Sequence, residues 1–236
     1  MKQWIIEGIR TGIKTTKYPK KEDTSPGISP GRPVLTEASK IDPSICPTSA
    51  IRKKGKKTQI DYSRCIHCYR CKDDRGGKLS WEMSYEWAYF TKKGQGPLKS
   101  SFQSSIHILV VDTGSCGACL SEVELLNNPY YNMHRLGFFV TPSPRKADIL
   151  MVVGPVTHHM ELALKKAFDA MPTPKRVMAV GTCAISGGIF TPSFITASSV
   201  SEIIPVDLEV PGDPPPPLAI LYGLLILSGK MKPKRQ

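Results

Sequence analysis

Apolar and polar positions divide the chain into two unlike parts. From about residue 105, short apolar runs alternate with amphipathic stretches. "IHILVVDTG", "ADILMVVGPV", "RVMAVGTCA" and the shorter "IIPVDLEVPG" are continuous enough to predict buried parallel strands. "CLSEVELLNN" predicts a short helix, and "HHMELALKKAFDAM" a longer one with Met160, Leu164 and Phe168 on one face, stopped by Pro172 and Pro174. Strands alternating with helices predict an α/β domain with a parallel sheet covered on both faces.

Before residue 105 the pattern is sparse. Trp4, Ile5, Ile6, Ile9 and Ile13 recur at helical spacing with Lys2, Arg10 and Lys14 among them, which predicts a short basic amphipathic helix. Such a helix lies on an anionic membrane surface, docks on a partner, or packs on its own domain. Tyr18 to Pro33 reads as an irregular linker. A short basic cysteine-bearing segment follows to about residue 78, then the aromatic "LSWEMSYEWAYF" and a second linker, "TKKGQGPLKSS". The expected division is 1–33, 34–100 and 101–236, one medium domain with appendages. "LAILYGLLIL", Leu218 to Leu227, is about half of the ~20 residues that span a bilayer. The N-terminus shows no export signal, so the cytoplasmic side is expected, with peripheral membrane contact through the amphipathic N-terminal helix.

Charge adds an asymmetry. Of the net +12, residues 1 to 100 hold 21 Lys and Arg against 10 Asp and Glu. A basic patch of this kind attracts nucleic acid, an anionic membrane or an acidic partner without choosing among them.

The seven cysteines carry the candidate chemistry. In a reducing compartment, clustered cysteines read as metal or redox ligands rather than disulfides. Cys116 and Cys119 follow the first predicted strand, Cys183 ends the third, and Asp213 follows the fourth. Ligand sites of open parallel sheets lie outside the strand carboxyl ends, so these residues can converge. Thiolates gathered there select zinc or an iron-sulfur cluster. "GSCGAC" and "GTCAISGG" place glycines beside the thiols, where backbone can approach a bulky group. "DTGSCGAC" lacks the Lys-Ser or Lys-Thr pair of a phosphate loop. "CIHCYRC" is Cys-x2-Cys-x2-Cys, and Cys46 precedes Pro47. In two-cluster ferredoxins the Cys-Pro cysteine ligates the other motif's cluster, so Cys46 with Cys65, Cys68 and Cys71 makes one complete set for a 4Fe-4S cluster. The positions of the other set hold Thr36, Ser39, Asp42 and Arg75, as loss of one cluster would leave them. A zinc knuckle is the alternative. His67 reads as a cluster neighbour or a solvated side chain, and His158 and His159 as surface residues. No Ser-His-Asp set or acid-base carboxylate pair suggests hydrolysis; Glu122 is a lone candidate for carrying protons.

"GSCGACLSEVELL", "SPRKADILMVVGPVT", "PKRVMAVGTCAISGGIF" and "IIPVDLEVPGDPPPPLAILYG" resemble, in order and spacing, the small-subunit family shared by membrane-bound nickel-iron hydrogenases and respiratory complex I, formate hydrogenlyase especially. "IRTGIKTTKYP" and the cysteine group resemble the ferredoxin-type subunit of the same complexes, so the chain reads as a fusion. The resemblance implies a flavodoxin-like domain preceded by a small single-cluster ferredoxin-like segment. It implies a second 4Fe-4S cluster on Cys116, Cys119, Cys183 and a fourth ligand where this chain has Asp213, with Glu122 and Arg145 near that cluster or its interface. It further implies a large-subunit partner that holds any nickel, together with other iron-sulfur and membrane subunits.

An electron-transfer subunit of a complex I-like nickel-iron hydrogenase is therefore expected, not catalytic alone. A related complex reducing quinone or a sulfur compound is the first alternative, and a zinc-stabilised nucleic-acid-binding protein the second. A subunit whose second cluster has been lost also follows from Asp213. By itself, an Asp before Pro is a turn former. As a ligand it is harder than a thiolate and implies a labile iron and a 3Fe-4S form.

Overall fold

The computed structural model describes residues 2–35, 41–55, 57–72, 79–98, 104–191 and 193–234. Helix α1 (Lys2–Thr11) ends at Gly12. Its Trp4, Ile5, Ile6 and Ile9 are exposed, as is Ile13 beyond it, so the helix does not pack on its own domain. Strands β1 (Arg32–Val34), β2 (Ile51–Lys54), β3 (Lys57–Ile60) and β4 (Ser80–Glu82) form two small antiparallel ladders, β1 with β4 and β2 with β3. Ile41, Ile51, Cys71 and Leu79 make the buried core of this part. Thr36, Ser39 and Arg75, three of the four positions where a second ligand set was sought, lie outside the described residues; Asp42 caps a short 3-10 turn, accepting from the Ser44 amide at 3.1 Å.

The main sheet contains β5 (Tyr89–Phe90), β6 (Ile106–Asp112), β7 (Phe138–Val140), β8 (Ile149–Val153), β9 (Arg176–Val180) and β10 (Leu208–Val210). Their order is β5-β10-β9-β8-β6-β7, with only β5 antiparallel. Counted along the chain, the five parallel strands run 2-1-3-4-5, a doubly wound order whose reversal lies between β6 and β8. Every residue of β8 and β9 is buried. Successive side chains of a strand point to opposite faces, and here both faces are covered. Ile149, Met151 and Val153 of β8 enter one core with helices α2 (Ala118–Leu125) and α5 (Pro217–Leu227). Leu150 and Val152 enter the other with α3 (His158–Ala170) and α4 (Thr182–Ser186). The four apolar runs become β6, β8, β9 and β10, and both predicted helices form; β7, α4 and α5 are additions. In α3 it is Leu164 that is fully buried, while Met160 and Phe168 are only half-buried.

The two supposed linkers are bonded to the domain. Tyr18 is buried and donates from its hydroxyl to Glu86 at 2.8 Å, and the Tyr130 hydroxyl donates to Asp23 at 2.8 Å. Further along, Arg176 donates to the carbonyls of Gly96 and Pro97, and the Leu98 amide to Leu227. These bonds span up to 129 residues of sequence, beyond the reach of local pattern.

Helix α5 is apolar all round because all eleven residues are buried. It crosses the sheet closely at Gly223, where a β-carbon would lie 2.9 Å from Val210 Cγ2 and 3.1 Å from Leu208 Cδ2. No helix among the described residues is long and apolar enough to cross a membrane. Gly223→Leu is expected to destabilise the chain by roughly 1–3 kcal/mol through overpacking, measured by urea unfolding.

Candidate metal centres

The loop after β6 is shaped by Asp112. Its carboxylate accepts from the amides of Gly114 and Ser115 at 2.9 and 2.7 Å and from the Ser115 hydroxyl at 2.9 Å. That turn delivers Cys116, exposed, and Cys119, buried in the first turn of α2. Cys183 is buried on α4, directly beyond β9. Between them Gly181 has φ 92°, and a β-carbon there would stand 2.6 Å from the Cys119 sulfur. Only glycine lets the end of β9 pass beneath that thiol.

Asp213, after β10, completes the group. Burial first, then the Asp213 carboxylate, and then Cys116 push the Cys183 thiol up to about 12. Burial, Asp213 and the neighbouring thiols raise Cys119 in the same way, with Glu122 adding a smaller effect. The structure thus gathers Cys116, Cys119, Cys183 and Asp213, with Glu122 at the margin. Burial raises the carboxyls of both Asp213 and Glu122. The two acids border one open cleft with His67, Tyr69 and Tyr131. Arg145 is not brought here. It is exposed on the turn Pro144–Lys146 leading into the start of β8, whereas the thiols follow strand ends. His158 is exposed at the start of α3, 3.7 Å from Glu161.

The Cys46 group lines one pocket, in which Cys46, Cys65, Cys68 and Cys71 meet Ile60 and Trp81. Cys68 is exposed, Cys71 buried, and the other two half-buried. Burial pushes Cys65 up to about 12, with Cys71, Cys46 and Cys68 adding to the rise. Burial and the neighbouring thiols raise Cys71 as well. At Cys46 burial is outweighed by hydrogen bonds, among them the Ala50 amide at 3.2 Å, and the thiol is lowered. The buried Trp81 Nε1–H has no hydrogen-bond partner among the described residues, and Trp81 lines the same pocket as the four thiols.

The two groups meet along one seam. Thr182, beside Cys183, donates to the Cys65 carbonyl at 2.9 Å, and Ser186 to the Ser63 carbonyl at 2.7 Å. Trp87 Nε1 donates to the Pro211 carbonyl at 2.8 Å, and the Asp213 amide to His67 Nδ1 at 3.3 Å. His67 is half-buried, and burial pushes it down to about 4. Asp112, Trp87, Thr182 and Ser186 were not singled out from sequence. The signals present were an acid at the end of a strand and hydroxyls flanking Cys183 in "GTCAIS".

Among the described residues no group of three or more His, Cys, Asp or Glu side chains is drawn to one point as the ligands of a single ion are. A cluster with several irons holds its thiolates apart around its own bulk. The donor sets suit such a group: crowded, buried thiols that cannot all ionise without a cation among them, a glycine-walled approach to sulfur, and an unpartnered buried indole N–H in the wall of the thiol pocket.

A doubly wound domain with thiols gathered at its strand ends is the class the geometry defines. Residues 116–227 match the family described as NADH ubiquinone oxidoreductase, 20 Kd subunit. The chain belongs to that family. The match includes Cys116, Cys119, Cys183 and Asp213, and it does not reach the Cys46 group. An uncharacterized protein of Methanocaldococcus jannaschii, MJ0516, is 42% identical over 134 residues, 56% of this chain and 90% of that protein. A subunit of the NADH-quinone oxidoreductase of Bacteroides thetaiotaomicron is 44% identical over 130 residues, 55% of this chain and 64% of that subunit. Formate hydrogenlyase subunit 7 of Escherichia coli is 36% identical over 137 residues, 58% of this chain and 54% of that subunit. The chain therefore spans less than two thirds of these two oxidoreductase subunits.

The thiol shifts set a pH dependence. In metal-free chain Cys65 and Cys183 keep their protons up to about pH 12 when folded, against 9.0 for an ordinary thiol. A raised folded value gives stability that is complete below the unfolded value and is lost as pH rises to the folded one. Urea midpoints of metal-free parent are expected to fall more between pH 9 and 12 than those of a Cys65→Ala/Cys183→Ala variant.

Proposed function

We propose that the chain is an iron-sulfur electron-transfer subunit of a membrane-associated oxidoreductase complex, conducting electrons between a donor and the active site of a large partner subunit of nickel-iron hydrogenase type. One observation carries the reading: in a chain of the 20 kDa subunit family, a second complete thiolate set is docked against the strand-end set through hydrogen bonds between their backbones and side chains. Cys46, Cys65, Cys68 and Cys71 would hold one 4Fe-4S cluster, and Cys116, Cys119, Cys183 and Asp213 a second. When bound, such clusters supply reversible one-electron chemistry at potentials set by burial and by hydrogen bonds to sulfur.

The chain's own residues prepare that chemistry. The Ala50 amide donates to the Cys46 sulfur, and the indole of Trp81 walls the same pocket. Asp112 fixes the loop bearing Cys116, and Glu122 stands at the cleft where it can hold a proton near the second group. Residues 34–100 act as a reduced ferredoxin-like segment fused to the 20 kDa-type domain at 101–236. The exposed apolar residues of α1, flanked by Lys2, Arg10 and Lys14, would rest on the cytoplasmic face of a membrane or its membrane subunits. A complex reducing quinone is the second reading, favoured by the 44% identity to the NADH-quinone oxidoreductase relative.

Anaerobically purified chain is expected to contain iron and acid-labile sulfide and, once reduced, two paramagnetic centres at low temperature. Zinc without sulfide overturns the reading, and a single centre identifies a degenerate second site. Whether the partner carries nickel separates the hydrogenase from the quinone reading. Carboxylate is a harder ligand than thiolate, so oxidation should release one iron from the Asp213 site and leave a 3Fe-4S signal. Asp213→Cys is expected to suppress that release; identical cluster type and stability in variant and parent would make Asp213 a turn residue only.

A further inference from the structure

His67 is the feature that the thiolate chemistry leaves without a task. It lies within the cysteine loop, yet its ring leaves that loop and reaches the corner after β10. Its φ is 48°, a left-handed conformation uncommon for any residue but glycine. The ring stacks on Trp87 at 5.9 Å and 28°, stands 6.1 Å from the Trp81 ring, and accepts the Asp213 amide at 3.3 Å on Nδ1. It borders the cavity of the Cys46 group and also the cleft that holds Asp213 and Glu122.

The amide it receives has special standing. Residues 214 to 217 are all proline and have no N–H, so Asp213 bears the last backbone donor before Leu218. A partly buried N–H needs an acceptor, and the structure supplies an imidazole from 146 residues away. The other seam bonds, from Thr182, Ser186 and Trp87, fix the cysteine loop and the aromatic segment to α4 and Pro211. His67 alone among the described residues joins the Cys65–Cys71 loop by hydrogen bond to the candidate ligand of the other group.

We propose that His67 is a positioning residue that latches the Cys65–Cys71 loop to the Asp213 corner and thereby fixes the separation of the two thiolate groups. Its consequence for electron transfer rests on the function proposed above; the latch itself does not. A neutral ring whose Nδ1 accepts carries its proton on Nε2, so the latch requires one tautomer. Phenylalanine keeps the ring and removes the acceptor. Asparagine keeps an acceptor near the Nδ1 position and removes most of the ring.

The test is hydrogen exchange, read by mass spectrometry on the full anaerobic chain, together with resonance spectra of the reduced protein. Because the proline run has no amides, a peptide across it reports Asp213 against little background. In His67→Phe, Asp213 is expected to exchange roughly fivefold faster, the factor one neutral hydrogen bond is worth, with distant peptides unchanged. His67→Asn should recover most of the protection. With iron and sulfide retained, the magnetic interaction between the two reduced centres should differ between His67→Phe and parent. Parent-like Asp213 exchange in His67→Phe overturns the latch, and so does a rise spread evenly over the whole chain. Localised exchange in a protein lacking sulfide upholds the latch while removing the electron-transfer reading.

Discussion

Repulsion among buried acids governs the strand-end site. Burial first and then the Asp213 carboxylate raise the ionisation cost of the Cys119 and Cys183 thiols, with neighbouring thiols adding to it. Without a cation the buried thiols must stay largely protonated; with one, the same crowding becomes a ligand shell. The surrounding fold is arranged to impose that crowding. The doubly wound order brings the ends of β6, β9 and β10 to one side, Asp112 turns the first loop inward, and Gly181 removes the side chain that would hold β9 away from Cys119. The close passage of α5 at Gly223 keeps the sheet tight beneath them.

The first thiolate group meets the same constraint with less support. Its core is a few residues around Ile41, Ile51 and Leu79, with Cys71 itself one of them. A core that small supplies little stability by itself, so the seam with α4 and the corner after β10 carries structural weight as well as bringing the groups together. Backbone carbonyls of Ser63 and Cys65 are the acceptors, which fixes the loop irrespective of what its cysteines hold.

Much of the α/β domain was legible because buried strands and an amphipathic helix leave periodic signatures. Strand β7 was not, since Phe138–Val140 is too short to show a period, and α5 was not, since a helix buried on every side has none. Convergence of Cys116, Cys119, Cys183 and Asp213 followed from one topological rule, since each lies at the carboxyl end of a strand. The docking of the cysteine segment was illegible: it depends on hydroxyl, indole and imidazole contacts between residues more than a hundred positions apart. Composition read Tyr18–Pro33 as a linker for the same reason, because a few long-range bonds hold an irregular chain as firmly as a helix would. Arg145 shows the converse, a matching position that the fold leaves apart from the thiols.

Strand β5 pairs antiparallel with β10, so residues 89 and 90, which belong to the part of the chain before the α/β domain's first strand, form the outer edge of its sheet. That edge closes an otherwise open row of peptide groups, protecting it from pairing with another molecule. It also makes the neighbouring thiolate group a permanent resident. Two proteins that exchange electrons must find each other at a frequency set by their concentrations, whereas sites sharing a sheet stay together at any dilution. Encounter is thereby replaced by covalent stoichiometry: every copy of one site arrives with one copy of the other.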